Sequence, residues 1–138
     1  MSLNETPMTR WYWREILKKG TLIEEYVAVK RAEDDSNAPR FMDGLVILDG
    51  PFEISNDVHR DITDKDVVVI QSKNKRLGMY LMGQALFSRQ LILTKGAKIV
   101  RSVAVCRKDD KVMRPLLVAH PGIEVAFCPA EIKIEERE

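Results

Sequence analysis

Three residues bear chemistry by type and spacing: Asp43 in RFMDGLVIL, and Gln71 and Lys73 in DVVVIQSK. On a strand, side chains two apart share a face, so Val67, Val69, Gln71 and Lys73 point one way and Val68, Ile70 and Ser72 the other. Gln71 and Lys73 therefore emerge side by side at a strand end. Asp43 stands near the start of the preceding strand, which in an antiparallel pair lies beside the end of the next. Glu24 and Glu25, on the strand before that, are candidates to complete the group. Converging oxygen donors suit a hard divalent cation such as Mg²⁺, at about 2.1 Å. A lysine beside them can offset charge that develops on a substrate.

The elements that must position these residues follow from punctuation and periodicity. Thr6 or Thr9 can cap a first helix through about residue 19, with Pro7 near its start, Trp11, Tyr12 and Trp13 along it and Gly20 as its stop. Residues 21–30, 41–49 and 66–73 read as strands, the last with a β-branched run that suggests burial on both faces. Residues 77–94 form the longest helix, with Gly96 beyond its end. Residues 98–108 alternate as a fourth strand, 111–120 read as a short helix entered through Pro115, and 122–129 as a fifth strand. Stretches 31–40 and 49–66, rich in Asp, Asn, Ser, Pro or Gly, read as loops. The fold class expected is α/β: one domain over residues 1–138, with a mixed sheet and helices on both faces, a core of about 10–128, and flexible ends at 1–8 and 130–138.

An acid at the start of the second strand and a Gln-x-Lys at the end of the third, in an α-β-β-β-α-β order, resembles the PD-(D/E)XK, or restriction-endonuclease-like, nuclease superfamily. The resemblance covers residues 10–128 as topology and few residues as motif. It implies that Asp43 binds metal, that Gln71 takes the second ligand position, where Asp or Glu is usual, and that Lys73 is the catalytic lysine. The nuclease subunit of certain heteromeric transposases is similar in carrying Gln there. Glu25 is the choice for the upstream glutamate, with Glu24 and Glu15 as alternatives. Gln84 resembles a glutamine that RecB-like members carry on the following helix; its other reading is a hydrogen-bonded buried amide. The implied activity is Mg²⁺- or Mn²⁺-dependent phosphodiester hydrolysis, most simply of DNA by an endonuclease or nuclease module. Lys75, Arg76 and Arg89 are then expected to contact the nucleic acid, and Lys95, Lys98 and Arg101 to extend the path. Two other readings stand beside it. One is a catalytically silent nuclease-fold module that binds nucleic acid or a second protein subunit. The other is an interaction domain whose long helix buries its surplus apolar surface in a homodimer.

The bulk properties fit these readings. The 138 residues are 45% hydrophobic, enough for one core. A formal net charge of +1 conceals segregation, for residues 72–114 carry +9 and the remainder −8. A positive field beside an acidic one suits a phosphate polymer meeting a metal site, though a solvated surface explains it equally. No apolar run approaches the roughly 20 residues needed to cross a bilayer, and the first ten residues lack the apolar centre of a signal peptide, so a cytoplasmic protein is expected. Cys106 and Cys128 form no CxxC, and His59 and His120 stand apart, which argues against zinc and for core thiols. There is no Gly-rich phosphate loop, no Ser-His-Asp spacing and no aromatic-rich RNA-binding strand.

Overall fold

In the computed structural model, residues 5–134 are described. The chain opens with helix α1 (Thr6–Trp11), which continues as a π-helical segment over Tyr12–Leu17 and ends on Lys18 in the left-handed conformation (φ 60°). Neither threonine caps it. Thr6 is its first residue, and Thr9 is buried, with Oγ1 2.8 Å from Ser72 Oγ. The hydroxyl serves packing against the sheet rather than the free N–H groups of the first turn. Gly44 permits that contact, because a Cβ there would meet Thr9 Cγ2 at 2.7 Å.

The strands are β1 (Thr21–Val29), β2 (Arg40–Ile47), β3 (Glu53–Ser55), β4 (Asp66–Ser72), β5 (Ile99–Cys106) and β6 (Ile123–Phe127). They form one six-stranded sheet in the order β3-β1-β2-β4-β5-β6. β1, β2 and β4 make an antiparallel meander, while β5 and β6 run parallel to β4, and β3 pairs parallel with β1 at the far edge. Helix α2 (Met79–Thr94) carries the chain from β4 to β5, and the short α3 (Met113–Val118) from β5 to β6. The molecule is therefore a single mixed α/β domain with helices on both faces of the sheet, as its alternation of elements implies.

Side-chain parity divides the core. Leu22, Val46, Val68 and Ile70 meet Met8, Tyr12 and Trp13 of the α1 side. Ile23, Leu45, Ile47, Val67 and Val69 meet Ile92 of α2 on the other. A further cluster joins Leu81 and Ala85 of α2 to Ala104, Leu117 and Ile123.

Two further expectations are corrected. The stretch 49–66 is not only loop: it contains β3, too short for an alternation signal, and is held by Phe52 stacked on Trp13 (centroids 4.3 Å apart) and by fully buried Ile62. The ends are packed where they are described: Met8 is fully buried, Glu5 is buried, and Ile132 and Ile134 lie against the α1-side core. The expectation for residues 1–4 and 135–138 lies outside the described residues. Among the described residues no helix is long and apolar enough to cross a membrane.

Candidate active site

The meander brings the acid, the amide and the lysine to one place. Pairing of β2 with β4 stops at Gly44↔Ile70, one step short of Asp43 and Gln71. The Asp43 side chain continues where the ladder ends: its Oδ2 accepts the Ser72 N–H at 2.8 Å. On the opposite edge of β4 the Lys73 N–H donates to Val105 O at 2.9 Å, so the strand end is held from both sides.

Glu25 arrives by a distortion. The pairs Glu24↔Gly44 and Tyr26↔Met42 bracket it opposite Asp43, and its φ of 55° is left-handed. Strict alternation from Leu22 and Val46 would turn Tyr26 and Met42 towards α1, yet both lie in the α2-side core. The side-chain parity of both strands thus switches at Glu25 and Asp43. A non-glycine residue held left-handed in mid-strand stores about 1–3 kcal/mol, and such strain gathers at functional sites.

The result is a cleft of about 400 Å³ whose lining includes Glu25, Asp43, Gln71, Lys73 and Gln84. Burial pushes the Asp43 carboxyl up to about 7; the Ser72 N–H opposes the shift, and the charges of Glu25 and Glu5 reinforce it. Burial also raises Glu25, with Glu24 adding to the rise. Glu25 Oε2 is buried without a hydrogen-bond partner, alone in this among the buried side-chain polar atoms of the described residues. Such an atom costs about 1–3 kcal/mol unless something binds it.

Gln71 is only 3% exposed, and its amide is fixed in orientation. Oε1 faces the Asp43 N–H at 3.4 Å, and Nε2 lies 2.8 Å from Ser88 Oγ and 3.4 Å from Met42 Sδ. A backbone N–H can only donate and a thioether can only accept, so the oxygen belongs on the Asp43 side. Lys73 forms no ion pair with the described carboxylates; its Nζ sits 5.0 Å from the centroid of the Tyr80 ring.

Of the three glutamates considered, only Glu25 reaches the cleft. Glu24 faces α1 and takes a bidentate ion pair from Arg10, at 2.7 and 3.0 Å. Glu15 lines a separate hollow beside Trp11 and Arg14. Among the basic residues, Lys75 and Arg76 adjoin Lys73 in a neighbouring hollow, with Arg76 Nη1 donating to Asp109 O at 2.8 Å. Arg89 does not join them. Its Nε donates to Val100 O at 2.9 Å and packs against Gly122. Val100 pairs with Val67, four residues before Gln71, which is about 13 Å along the strand. The extended basic path fails for the same reason: Arg101 is paired with Glu124 at 2.7 Å, and Lys98 stands among Asp49, Asp64 and Asp66, all towards the other end of the strands. The cysteines are buried free thiols, as read, and burial pushes Cys106 up to about 11.

The structure adds residues that the motif did not supply. Ser88 holds the Gln71 amide; it lies one helical turn after Gln84, so the i, i+4 spacing could have signalled it. Glu5 accepts the Asn74 N–H at 2.8 Å and steadies the chain just beyond Lys73; a contact across 69 positions leaves no local signal. Tyr80 and Phe41 form part of the cleft's lining.

Oxygen donors of the kind a hard divalent cation takes are gathered in the cleft, two carboxylates and an amide. Glu25 Oε2, the second oxygen of Asp43 and the Gln71 carbonyl oxygen are the groups that would hold it, the first lacking a partner and the second raised in pKa. Among the described residues no three His, Cys, Asp or Glu side chains form a metal cluster, so a cation here would rely on Gln71 and water for its remaining ligands. Comparison of the chain with protein-family models, with curated proteins and with solved structures returns no match.

Proposed function

We propose that this chain is a metal-dependent phosphodiesterase with a restriction-endonuclease-like core, cutting DNA as an endonuclease or as the nuclease module of a larger assembly. The observation that carries the reading is the partnerless buried oxygen of Glu25 in a residue that lines one cleft with the raised carboxyl of Asp43. Two partly buried carboxyl groups that form no ion pair among the described residues are costly to hold together charged, and a bound cation relieves that cost. The strand order supports the reading as well. With the three-residue β3 set aside as an edge addition, α1, the β1-β2-β4 meander, α2 and parallel β5 follow an α-β-β-β-α-β path.

In this reading Glu25 and Asp43 hold Mg²⁺ or Mn²⁺, and Gln71 Oε1 completes or orients the ligand set. The ion, when bound, would supply polarisation of a phosphoryl oxygen and a more acidic water. Lys73 orients the attacking water or offsets the charge gathering on phosphorus as the new P–O bond forms and the bond to the leaving sugar oxygen breaks. Gln84, on the cleft wall, helps orient the phosphodiester. The test incubates plasmid and linear DNA with Mg²⁺ or Mn²⁺ beside Lys73→Ala and Asp43→Ala. Cleavage lost in both variants supports the reading, and cleavage indifferent to both overturns it.

A second reading, a silent nuclease-fold module, draws on one observation: the Gln71 amide is already engaged by Ser88 and Met42. Nucleic-acid binding with no heat of Mn²⁺ binding in calorimetry would favour it.

A further inference from the structure

The cleft combines polar and aromatic lining. Gln71 is buried and Glu25, Asp43 and Lys73 are half-buried, while Arg40, Phe41 and Tyr80 of the same lining are exposed. Tyr80 is 71% exposed, the second residue of α2, although the next residue, Leu81, is buried at 2%. Its ring is not idle, for Lys73 lies over it, which leaves a π-face and a cation together in the lining. Phe41, on β2, is 39% exposed and belongs to the same lining.

We propose that the cleft selects an unpaired nucleotide: a base stacks on Tyr80 while its phosphodiester lies over Asp43 and Glu25, so that single strands and frayed ends are the substrates. This rests on the phosphodiesterase reading above and narrows its substrate class. Ring faces are what bases offer when they are unstacked; inside a duplex those faces are covered by neighbouring pairs, and only edges show in the grooves. Extracting a paired base costs a few kcal/mol, which an unpaired strand avoids. A volume of about 400 Å³ sits at the lower end of small-ligand sites, suited to one nucleotide unit at a time. The charges agree, with Lys73 and the exposed Arg40 in the same lining as the two carboxyl groups and available to a phosphate. The interleaving of ring and cation is the pattern by which single strands are gripped without sequence preference.

The experiment compares one sequence as single-stranded DNA, single-stranded RNA, blunt duplex and duplex with a frayed end. Cleavage in Mg²⁺ is measured beside the fluorescence of 2-aminopurine placed at the unpaired position, read with Ca²⁺ in place of Mg²⁺ so that the charge of the cleft is kept and stacking is followed separately from hydrolysis. Wild type, Tyr80→Ala and Tyr80→Phe are compared; the exposure of Tyr80 makes both variants safe for folding. The expected result is cleavage of single-stranded and frayed substrates at least about tenfold faster than of blunt duplex, with 2-aminopurine quenched on binding. Tyr80→Ala loses the quenching and about tenfold in rate, the worth of one base–aromatic contact, and Tyr80→Phe keeps both. Blunt duplex cut as fast as single strands, with Tyr80→Ala indifferent, overturns this inference and leaves the phosphodiesterase reading standing. Tyr80-dependent quenching with no cleavage of any substrate overturns the enzyme and keeps the unpaired nucleotide as the ligand of the cleft. Neither quenching nor cleavage removes both. The relative response of DNA and RNA assigns the sugar.

Discussion

Glu24 and Glu25 are neighbours in sequence and opposites in circumstance. Glu24 points to the α1 side of the sheet, where Arg10 meets both its oxygens within 3.0 Å. Glu25, turned by a left-handed backbone, points into the cleft, where one of its oxygens is buried without a partner and its carboxyl is raised by burial. The first is a satisfied, partly exposed ion pair of the kind that holds elements together weakly. The second leaves a buried oxygen without a hydrogen bond in a residue that the fold holds in a strained conformation. The same contrast runs across the molecule: Arg101–Glu124 and Arg114–Asp109 are paired charges, whereas Asp43 and Glu25 line one cleft and form no ion pair among the described residues. Charge by itself thus marks little; a buried polar atom without a hydrogen bond is what sets Glu25 apart.

The largest expected effect tests the two glutamates against each other. Glu25→Gln should lower the metal-dependent cleavage rate roughly a hundredfold or more, with Mn²⁺ binding weakened in calorimetry, while Glu24→Gln leaves both within about twofold. Equal losses in the two variants would erase the contrast.

A second effect appears in stability. Asp43 is raised from its ordinary value to about 7 in the folded chain, so the folded state holds a proton that the unfolded state has released. Stability is therefore fullest below about pH 4 as far as this group is concerned, and falls as pH rises through about 7. For the metal-free protein, thermal unfolding followed across that range should show the decline. Asp43→Asn, which can keep the Ser72 N–H contact, should remove most of it and stabilise the metal-free protein at pH 8 by roughly 2–4 kcal/mol. Mn²⁺ should restore stability to the wild type at pH 8 and do so far less in the variant. A flat profile in the wild type would mean that the Asp43 carboxylate is accommodated without cost.

A smaller effect concerns the amide. Gln71→Glu turns an acceptor towards Met42 Sδ, itself an acceptor, and adds a negative charge beside Asp43. Denaturant unfolding without metal should show a loss of about 1–3 kcal/mol at pH 8, although the extra carboxylate can tighten Mn²⁺. Unchanged metal-free stability would show that the pocket does not discriminate amide from acid. Least of all, Glu24→Gln should cost at most about 1 kcal/mol, less at high salt. A loss of several kcal/mol would make the Arg10 pair a keystone rather than an ordinary surface contact.

Much of the arrangement could be read before any coordinates. The β-branched run before Gln71 set a strand whose parity presents Gln71 and Lys73 together, and the meander order brings Asp43 beside them. The α2 helix lies within its expected span, its end followed by Gly96 at φ 88°. What escaped was non-local or irregular. Thr9 looks like a cap because capping is a local habit of threonine, but the Gly44 surface left room for it to dock on the sheet. Arg89 looks like one more cation on a basic segment; only the return of β5 beneath α2 occupies its Nε with a backbone carbonyl. The short β3 has neither length nor alternation enough to stand out from the loop around it.

By itself the sequence determined the order of the helices and the longer strands, the two faces of β4 and the set of groups at its end, because these follow from periods of two and 3.6 residues and from turn residues in place. Only the tertiary structure decided which glutamate lines the cleft with Asp43, which way the Gln71 amide turns and which cations remain near the cleft. Those depend on one left-handed residue, on a thioether and a serine supplied by other elements, and on burial, which no single segment of chain contains.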